Sequence, residues 1–454
     1  MMGQDSVIEA VAAYIAGSKE AILPEEVIEK TKHHVLDTLA AIVSGSQLEP
    51  GHLARKYAMT WAGPGEAQVA GSRLLVSAAD AAMANGMMAH ADETDDSNPF
   101  SLTHPGCGVV PAALAVAEKT DATGMTFLRG VVAGYDIGCR ITRTLGIAEL
   151  RSKFRSTHAI GANFGAAAAC SSVLGLDEEA ARYAISYAAQ QASGLTYWLQ
   201  GQGHIEKAFV FAGMGARNGV TAGALAASGF TAIRDPFGGE RNFFDAFSSH
   251  PRPAYLVEGL GSIYEIARTN IKKFPVGSPI QAPLQALLNL ISGHSINANN
   301  VDSIVVRISS EGLKTVDNAN MPDICLQYIL AVTLLDGSLS FDAAHSFERM
   351  REPAILALRG RISVVEDPVQ SASENKRQGT IEVTTNDKVF LRNHVVSVRG
   401  TAENPMTRDE VEEKCLGLME PITGKDRAQG LVDTIWRLEK VGSVRELRRL
   451  ISLT

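Results

Sequence analysis

The sequence predicts a mainly α protein, in which a large all-helical domain is interrupted by a smaller α+β domain. Three observations lead there. Helical periodicity runs from the start of the chain to about residue 250. Near residue 270 the texture changes, with β-branched and alternating runs at 301–309, 379–385 and 389–398. After Gly400 the helical pattern returns, opening on the capping-box spacing Thr407-x-x-Glu410. The simplest topology lets this tail rejoin the first helices, giving a helical domain of residues 1–269 plus 401–454 and an inserted α+β domain of 270–400.

Taken in order, Val7, Val11, Ala12 and Ile15 share one face of a first helix, and Val35, Leu36, Leu39, Ala40 and Val43 one face of another. The stretches 106–120, 125–145, 158–174, 177–193 and 205–228 are helical and rich in alanine and glycine. Small side chains let helix axes approach, and Gly215, Gly219 and Gly223 give one smooth face. Arg217 and Asn218 between them exclude a membrane-packing reading of that spacing. Within the inserted domain, helices are expected at 279–292, 323–336 and 341–350; in the tail, at 407–418, 425–439 and 443–451.

Composition narrows the function. The 454 residues carry a net charge of -8, with 45% apolar and 20% charged residues, the profile of a folded globular chain. There is no basic stripe of the kind nucleic acid requires, and no run of roughly 18 apolar residues for a membrane span. Asp5 and Glu9 precede the first base, Lys19, the reverse of a secretory leader. Five cysteines, Cys107, Cys139, Cys170, Cys325 and Cys415, contain no CxxC pair and fit reduced thiols in a cytoplasmic enzyme. They offer no zinc or iron–sulfur ligand spacing.

Four polar clusters are candidates for chemistry. His90, Asp92, Glu93, Asp95 and Asp96 crowd into seven residues, followed by His104-Pro105-Gly106. Such a group can orient a histidine, shift a carboxyl pKa or bind a cation; it also fits a solvated acidic loop with capping aspartates. A diphosphate-metal reading of the aspartates lacks a second acidic helix and an aromatic pocket, with aromatics at 6%. Arg155-Ser156-Thr157-His158 opens a small-residue helix, where free N–H groups suit a carboxylate or a hydroxyl simply caps the helix. His204-Ile205-Glu206-Lys207 offers a lysine for a substrate carboxylate or a proton, or a surface ion pair. Lys272-Lys273-Phe274-Pro275-Val276-Gly277-Ser278 offers two bases ahead of a turn, or a solvated pair on a linker.

The segments HADETDDSN and THPG resemble the Asp-rich and His-Pro signatures of the MmgE/PrpD family, which includes 2-methylcitrate dehydratase, cis-aconitate decarboxylase and iminodisuccinate epimerase. The resemblance continues through Gly134-Tyr135-Asp136-Ile137-Gly138, the His158 helix, Ala216-Arg217-Asn218-Gly219-Val220, Lys273-Phe274-Pro275 and Leu326-Gln327-Tyr328. It covers nearly the whole chain in order. It implies a helical domain with an α+β lid, a homodimer, no metal or organic cofactor, and a small polycarboxylate as substrate. His104 matches the family histidine, Tyr328 the lid tyrosine, and His158 and Lys207 lie near a second histidine and the active-site lysine. Glu93 stands where the decarboxylases carry an aspartate, Ser97 replaces a threonine, and Phe211 and Cys325 occupy a histidine and a basic position. The resemblance therefore implies His104, His158, Lys207 and Tyr328 as catalytic residues. Glu93, Asp95, Asp96, Ser97, Lys272, Lys273 and Ser278 bind substrate in the same reading. The reaction expected is acid/base lysis of a polycarboxylate, most simply dehydration of the 2-methylcitrate type, with aconitate decarboxylation, amino-dicarboxylate epimerisation and a non-catalytic carboxylate binder as alternatives.

Overall fold

The computed structural model describes residues 5–61, 63–201 and 203–453. The leader reading rests in part on residues 1–4, which lie outside the described residues. No helix among the described residues is long and apolar enough to cross a membrane. All five cysteines are buried and unpaired.

The protein is mainly helical. The body begins with α1 (Asp5–Ser18), α2 (Glu25–Gly45) and α3 (Glu49–Thr60), and a two-stranded ribbon, β1 (Ala67–Gln68) and β2 (Leu75–Val76), precedes α4 (Ala78–Ala89). It continues with α5 (Pro105–Thr120), α6 (Gly124–Leu145), α7 (Ile147–Ser152), α8 (Thr157–Val173), α9 (Glu178–Gln190), α10 (His204–Ala208) and α11 (Met214–Ala227). The small residues act as expected. A Cβ on Gly219 of α11 would stand 2.3 Å from Ala166 Cβ of α8, and one on Gly138 of α6 would stand 2.7 Å from the Gly161 carbonyl oxygen. Any larger side chain there would push α8 off its two neighbours.

The helix expected at 205–228 runs unbroken over 204–227, but its Phe209–Gly213 turn, which joins α10 to α11, is π-helical. Such a turn inserts one residue into the helical ladder and re-aims its side chains.

The C-terminal region is mixed α+β and holds a four-stranded sheet in the order β4-β3-β5-β6. β3 (Val301–Ile308) pairs parallel with β4 (Ile362–Glu366) and antiparallel with β5 (Gly379–Thr385), which pairs antiparallel with β6 (Phe390–Val395). β4 is an addition to the strands read from sequence. Helices Gln281–His294 and Leu326–Asp336 pack with the sheet.

One apolar core draws on residues from Val27 to Ile271 and again from Met406 to Ile451; a second runs from Val276 to Val383. The two chain crossings between them lie side by side, since Ile271 N–H donates to Gly400 O at 2.9 Å and Ala402 N–H to Asn270 Oδ1 at 2.8 Å. The tail helix Arg408–Thr423 carries the expected capping box: the Thr407 hydroxyl accepts from Glu410 N–H, and the Glu410 carboxylate accepts from Thr407 N–H at 2.8 Å.

Candidate active site

A cavity of about 300 Å³ lies where the helical body meets the α+β region. Its floor is built from the acid-rich segment between α4 and α5. Ala91 through Asn98 are all buried, so this is not a solvated loop. Helix α4 ends on His90 and α5 starts on His104 as its N-cap, which sets two histidines at facing helix ends. Asp95 ties them together: its Oδ2 lies 2.9 Å from His90 Nδ1 and 3.1 Å from His104 Nδ1. Burial alone would raise the Asp95 pKa, but His90, His104 and Lys272 outweigh it and hold the carboxyl well below its usual range. Burial drives His90 down to about 4, so its ring is neutral near pH 7.

Glu93 is the second buried anion. It sits in the left-handed region at φ 58, a conformation that costs a non-glycine residue on the order of 1 kcal/mol and clusters at functional sites. The surroundings hold it there. Its Oε1 pairs with the buried Lys207 ammonium and its Oε2 accepts from Lys272 Nζ at 2.7 Å, while Lys272 also donates to the Glu93 carbonyl at 2.9 Å. Burial opposes both charges of the Glu93–Lys272 pair, yet mutual attraction wins: the Glu93 pKa lies well below normal and that of Lys272 above it. Lys272 reaches this position because Ser97 and Asn270 exchange backbone hydrogen bonds, at 2.9 and 2.8 Å, pulling the inter-domain strand against the acidic segment.

His158, half-buried on the first turn of α8, stands edge-on to His104 with ring centroids 5.1 Å apart. Ser156 caps that helix through Ala159 N–H. The π-helical turn delivers Phe211 between the histidines, stacked on His158 at 3.8 Å and on His90 at 4.4 Å. Burial first, then His104, His90 and Lys207, keep the His158 pKa well below its ordinary value. Its Nδ1 is buried without a hydrogen-bond partner.

The structure brings together most, but not all, of the residues predicted from sequence. Glu93, Ser97, His104, His158, Lys207 and Ser278 line the cavity, with Asp95 and Lys272 behind Glu93 and His104. Three candidates are corrected. Tyr328 is wholly buried in the core of the α+β region, its hydroxyl donating to Ala343 O at 2.5 Å, and does not line the cavity. Lys273 is exposed and turned to Gln285 Oε1 at 2.8 Å. Asp96 faces away from the cavity: it accepts from Tyr135 Oη at 2.6 Å and Gly106 N–H at 2.9 Å and lies 2.8 Å from His34 Nδ1. Burial raises its pKa to about 6 against those bonds. Its task is to anchor the start of α5 and so the position of His104.

Sequence reasoning missed the partners that come from distant segments. His204 of α10 lies 2.8 Å from Asp323 Oδ2, and His345 Nε2 lies 2.7 Å from the Asp92 carbonyl, so both bind the α+β region to the body beside the floor. Trp198 and Phe211 flank the Lys207 ammonium at 5.2 and 5.3 Å from their ring centroids. Glu93, Asp95 and His104 present ligand atoms within 4.8 Å of one another, as do His90, Glu93 and His204. A dication there would have to displace Lys207 and Lys272 from Glu93, so the donor set is already spoken for by two ammonium groups.

The site gathers groups suited to acid/base work: a carboxylate-backed histidine, His104, a second histidine, His158, whose pKa burial lowers, and buried lysines, beside a cavity sized for a small molecule. Residues 9–256 match the MmgE/PrpD N-terminal domain and residues 274–440 the MmgE/PrpD C-terminal domain. The chain belongs to the MmgE/PrpD family, and is a lyase-type enzyme of that family. Among curated proteins it is similar to cis-aconitate decarboxylase of Aspergillus terreus, 23% identical over 95% of this chain and 92% of that one. It is 24% identical to cis-aconitate decarboxylase-like protein oryM of Aspergillus oryzae, over 99% and 98% of the two chains. It is 23% identical to cis-aconitate decarboxylase of Homo sapiens, over 98% and 94%.

Proposed function

We propose that the protein abstracts a proton from a carbon beside a carboxylate of a small polycarboxylic acid and expels water, a dehydration of the 2-methylcitrate type that uses side chains alone. The observation that carries this reading is the Asp95–His104 pair. With Nδ1 turned to Asp95, His104 keeps Nε2 for the substrate, and the carboxylate stabilises the imidazolium formed when the proton arrives. His158 stays neutral and so offers a hydrogen bond without competing for that proton. Lys207, buried beside the cavity, supplies the positive group that offsets developing enolate charge and protonates the departing hydroxyl. Glu93 keeps Lys207 in place until a substrate carboxylate competes for it.

A second reading, loss of carbon dioxide from an aconitate, is favoured by the names of the relatives. It would use the same groups, with the lysine stabilising the carbanion and a histidine protonating it. The purified protein incubated with 2-methylcitrate, citrate and cis-aconitate separates the two. An alkene product from a hydroxy acid supports dehydration; carbon dioxide from cis-aconitate with the hydroxy acids untouched replaces it by decarboxylation. All three acids recovered unchanged by the folded protein would sink both.

A further inference from the structure

Glu93 keeps its left-handed backbone because the peptides around it are fixed from outside. The consecutive carbonyls of Asp92, Glu93 and Thr94 each accept from a basic side chain brought from a distant segment. His345 Nε2 serves the first at 2.7 Å, Lys272 Nζ the second at 2.9 Å and Lys414 Nζ the third at 2.9 Å. A carbonyl oxygen lies in the plane of its peptide. The bond to Asp92 O therefore sets the plane that enters Glu93, and with it the φ of 58.

His345 is committed on both sides. It ends the short helix Phe341–His345, and its Nδ1 lies 2.7 Å from Phe341 O, so each ring nitrogen faces a carbonyl acceptor. Only a doubly protonated ring donates to both. The buried Asp323 carboxylate balances that charge, with Oδ2 3.8 Å from His345 Nε2, and the same oxygen lies 2.8 Å from His204 Nε2. Burial opposes the Asp323 charge, but His204 and His345 outweigh it and hold its pKa below the usual carboxylate value. His204 opens α10, the helix that carries Lys207. One pair from the α+β region thus reaches both halves of the buried Glu93–Lys207 ion pair.

We propose that His345, with Asp323 beside it, is a positioning residue: it fixes the Asp92–Glu93 peptide from the α+β region and so aims Glu93 at Lys207. Neither residue lines the cavity. Without the bond to Asp92 O, Glu93 leaves its left-handed conformation and Lys207 loses the partner that places its ammonium. The inference rests on the reading of Lys207 as the group that offsets developing charge, so the loss falls on kcat rather than on KM.

The test uses His345→Phe in the intact protein, which keeps a ring against Phe341 and removes both donors. Its crystal structure is expected to show Glu93 out of the left-handed region and the contact with Lys207 broken. Kinetics are read on whichever of 2-methylcitrate, citrate and cis-aconitate wild type turns over, counted per folded molecule. A fall in kcat of at least about tenfold is expected, the worth of one charge-assisted hydrogen bond, with KM within about twofold. If that variant does not fold, His345→Gln, in which one nitrogen replaces two, takes the same test with an expected loss of at least about threefold. An intact Glu93–Lys207 pair, an unchanged kcat or a loss carried by KM overturns the positioning role. If wild type turns over none of the three acids, the proposed function falls and the crystal structure alone decides. A broken pair then keeps His345 as the residue that sets Glu93 and Lys207, and an intact pair overturns it.

Discussion

The floor of the cavity, contributed by the helical body, is buried and largely paired within itself, whereas the wall contributed by the α+β region leaves Arg377 Nη1 and Ser278 Oγ unpaired and carries Lys314 at the surface. Glu93, Asp95, His90 and His104 belong to the first, each held by a neighbour of opposite character and by two helix ends. Lys314, Arg377 and Ser278 belong to the second. The difference teaches that the two walls suit different tasks. Proton transfer needs groups whose geometry and ionisation are set before substrate arrives. Recognition needs charge that stays free until the ligand brings its own. Lys272 is the exception that joins them: it comes from the inter-domain strand, yet is as buried as the acids it neutralises.

The comparison can be broken in graded steps. The largest effect is expected from His104→Ala, which should cut turnover by about 10² to 10⁴-fold, the range for losing a positioned acid/base group, with an unchanged circular dichroism spectrum. Activity within a few-fold of wild type would remove His104 from the chemistry. Lys272→Met should cost about 3–5 kcal/mol in denaturant unfolding, because it leaves two buried carboxylates short of a partner. The double variant Lys272→Met/Glu93→Gln should recover much of that loss; a single variant as stable as wild type would show that the floor is not internally paired.

The third step uses pH. His90 has its pKa lowered from 6.5 to about 4 in the folded protein. Between those values the unfolded chain takes up a proton that the folded ring refuses, so stability falls as pH drops across that window. In His90→Gln this contribution vanishes, and the difference between the two unfolding curves should change by up to about 3 kcal/mol from pH 7 to pH 4. Parallel curves would mean that the ring takes up its proton as readily in the fold as in the unfolded chain. The smallest effect is expected from Tyr328→Phe, which should lower stability by about 1 kcal/mol through the lost bond to Ala343 and alter kcat less than about threefold. A collapse of kcat with KM unchanged would return Tyr328 to the active site.

Legibility followed the range of the forces involved. Helices α5, α6 and α8 were readable almost to the residue, since long alanine- and glycine-rich helical runs and a cap such as Ser156 are local signals. β4 was not, because Ile362–Glu366 is short, mostly half-exposed, and gains its place by parallel pairing with β3 far along the chain. The candidate floor residues were visible as a cluster, but spacing alone could not decide between a solvated loop and a buried network; the enclosure of 91–98 by both regions decides it. The π-helical turn that aims Phe211 leaves no mark in the residue pattern. The mouth of the cavity draws its cations from positions 151, 155, 314 and 377, of which Arg155 alone fell in a cluster that the sequence singles out. Tyr328 shows the converse: a motif matched in sequence whose side chain the core claims instead.

The central claim, that His104 moves a carbon-bound proton of a polycarboxylate, is tested most directly by solvent exchange. Wild type and His104→Ala, each shown to be folded, would be incubated in deuterated water with 2-methylcitrate, citrate and cis-aconitate and followed by proton NMR. The account predicts deuterium at a carbon beside a carboxylate of at least one acid with wild type, and none with the variant. Undiminished exchange in His104→Ala, or no exchange into any acid by wild type, would contradict it.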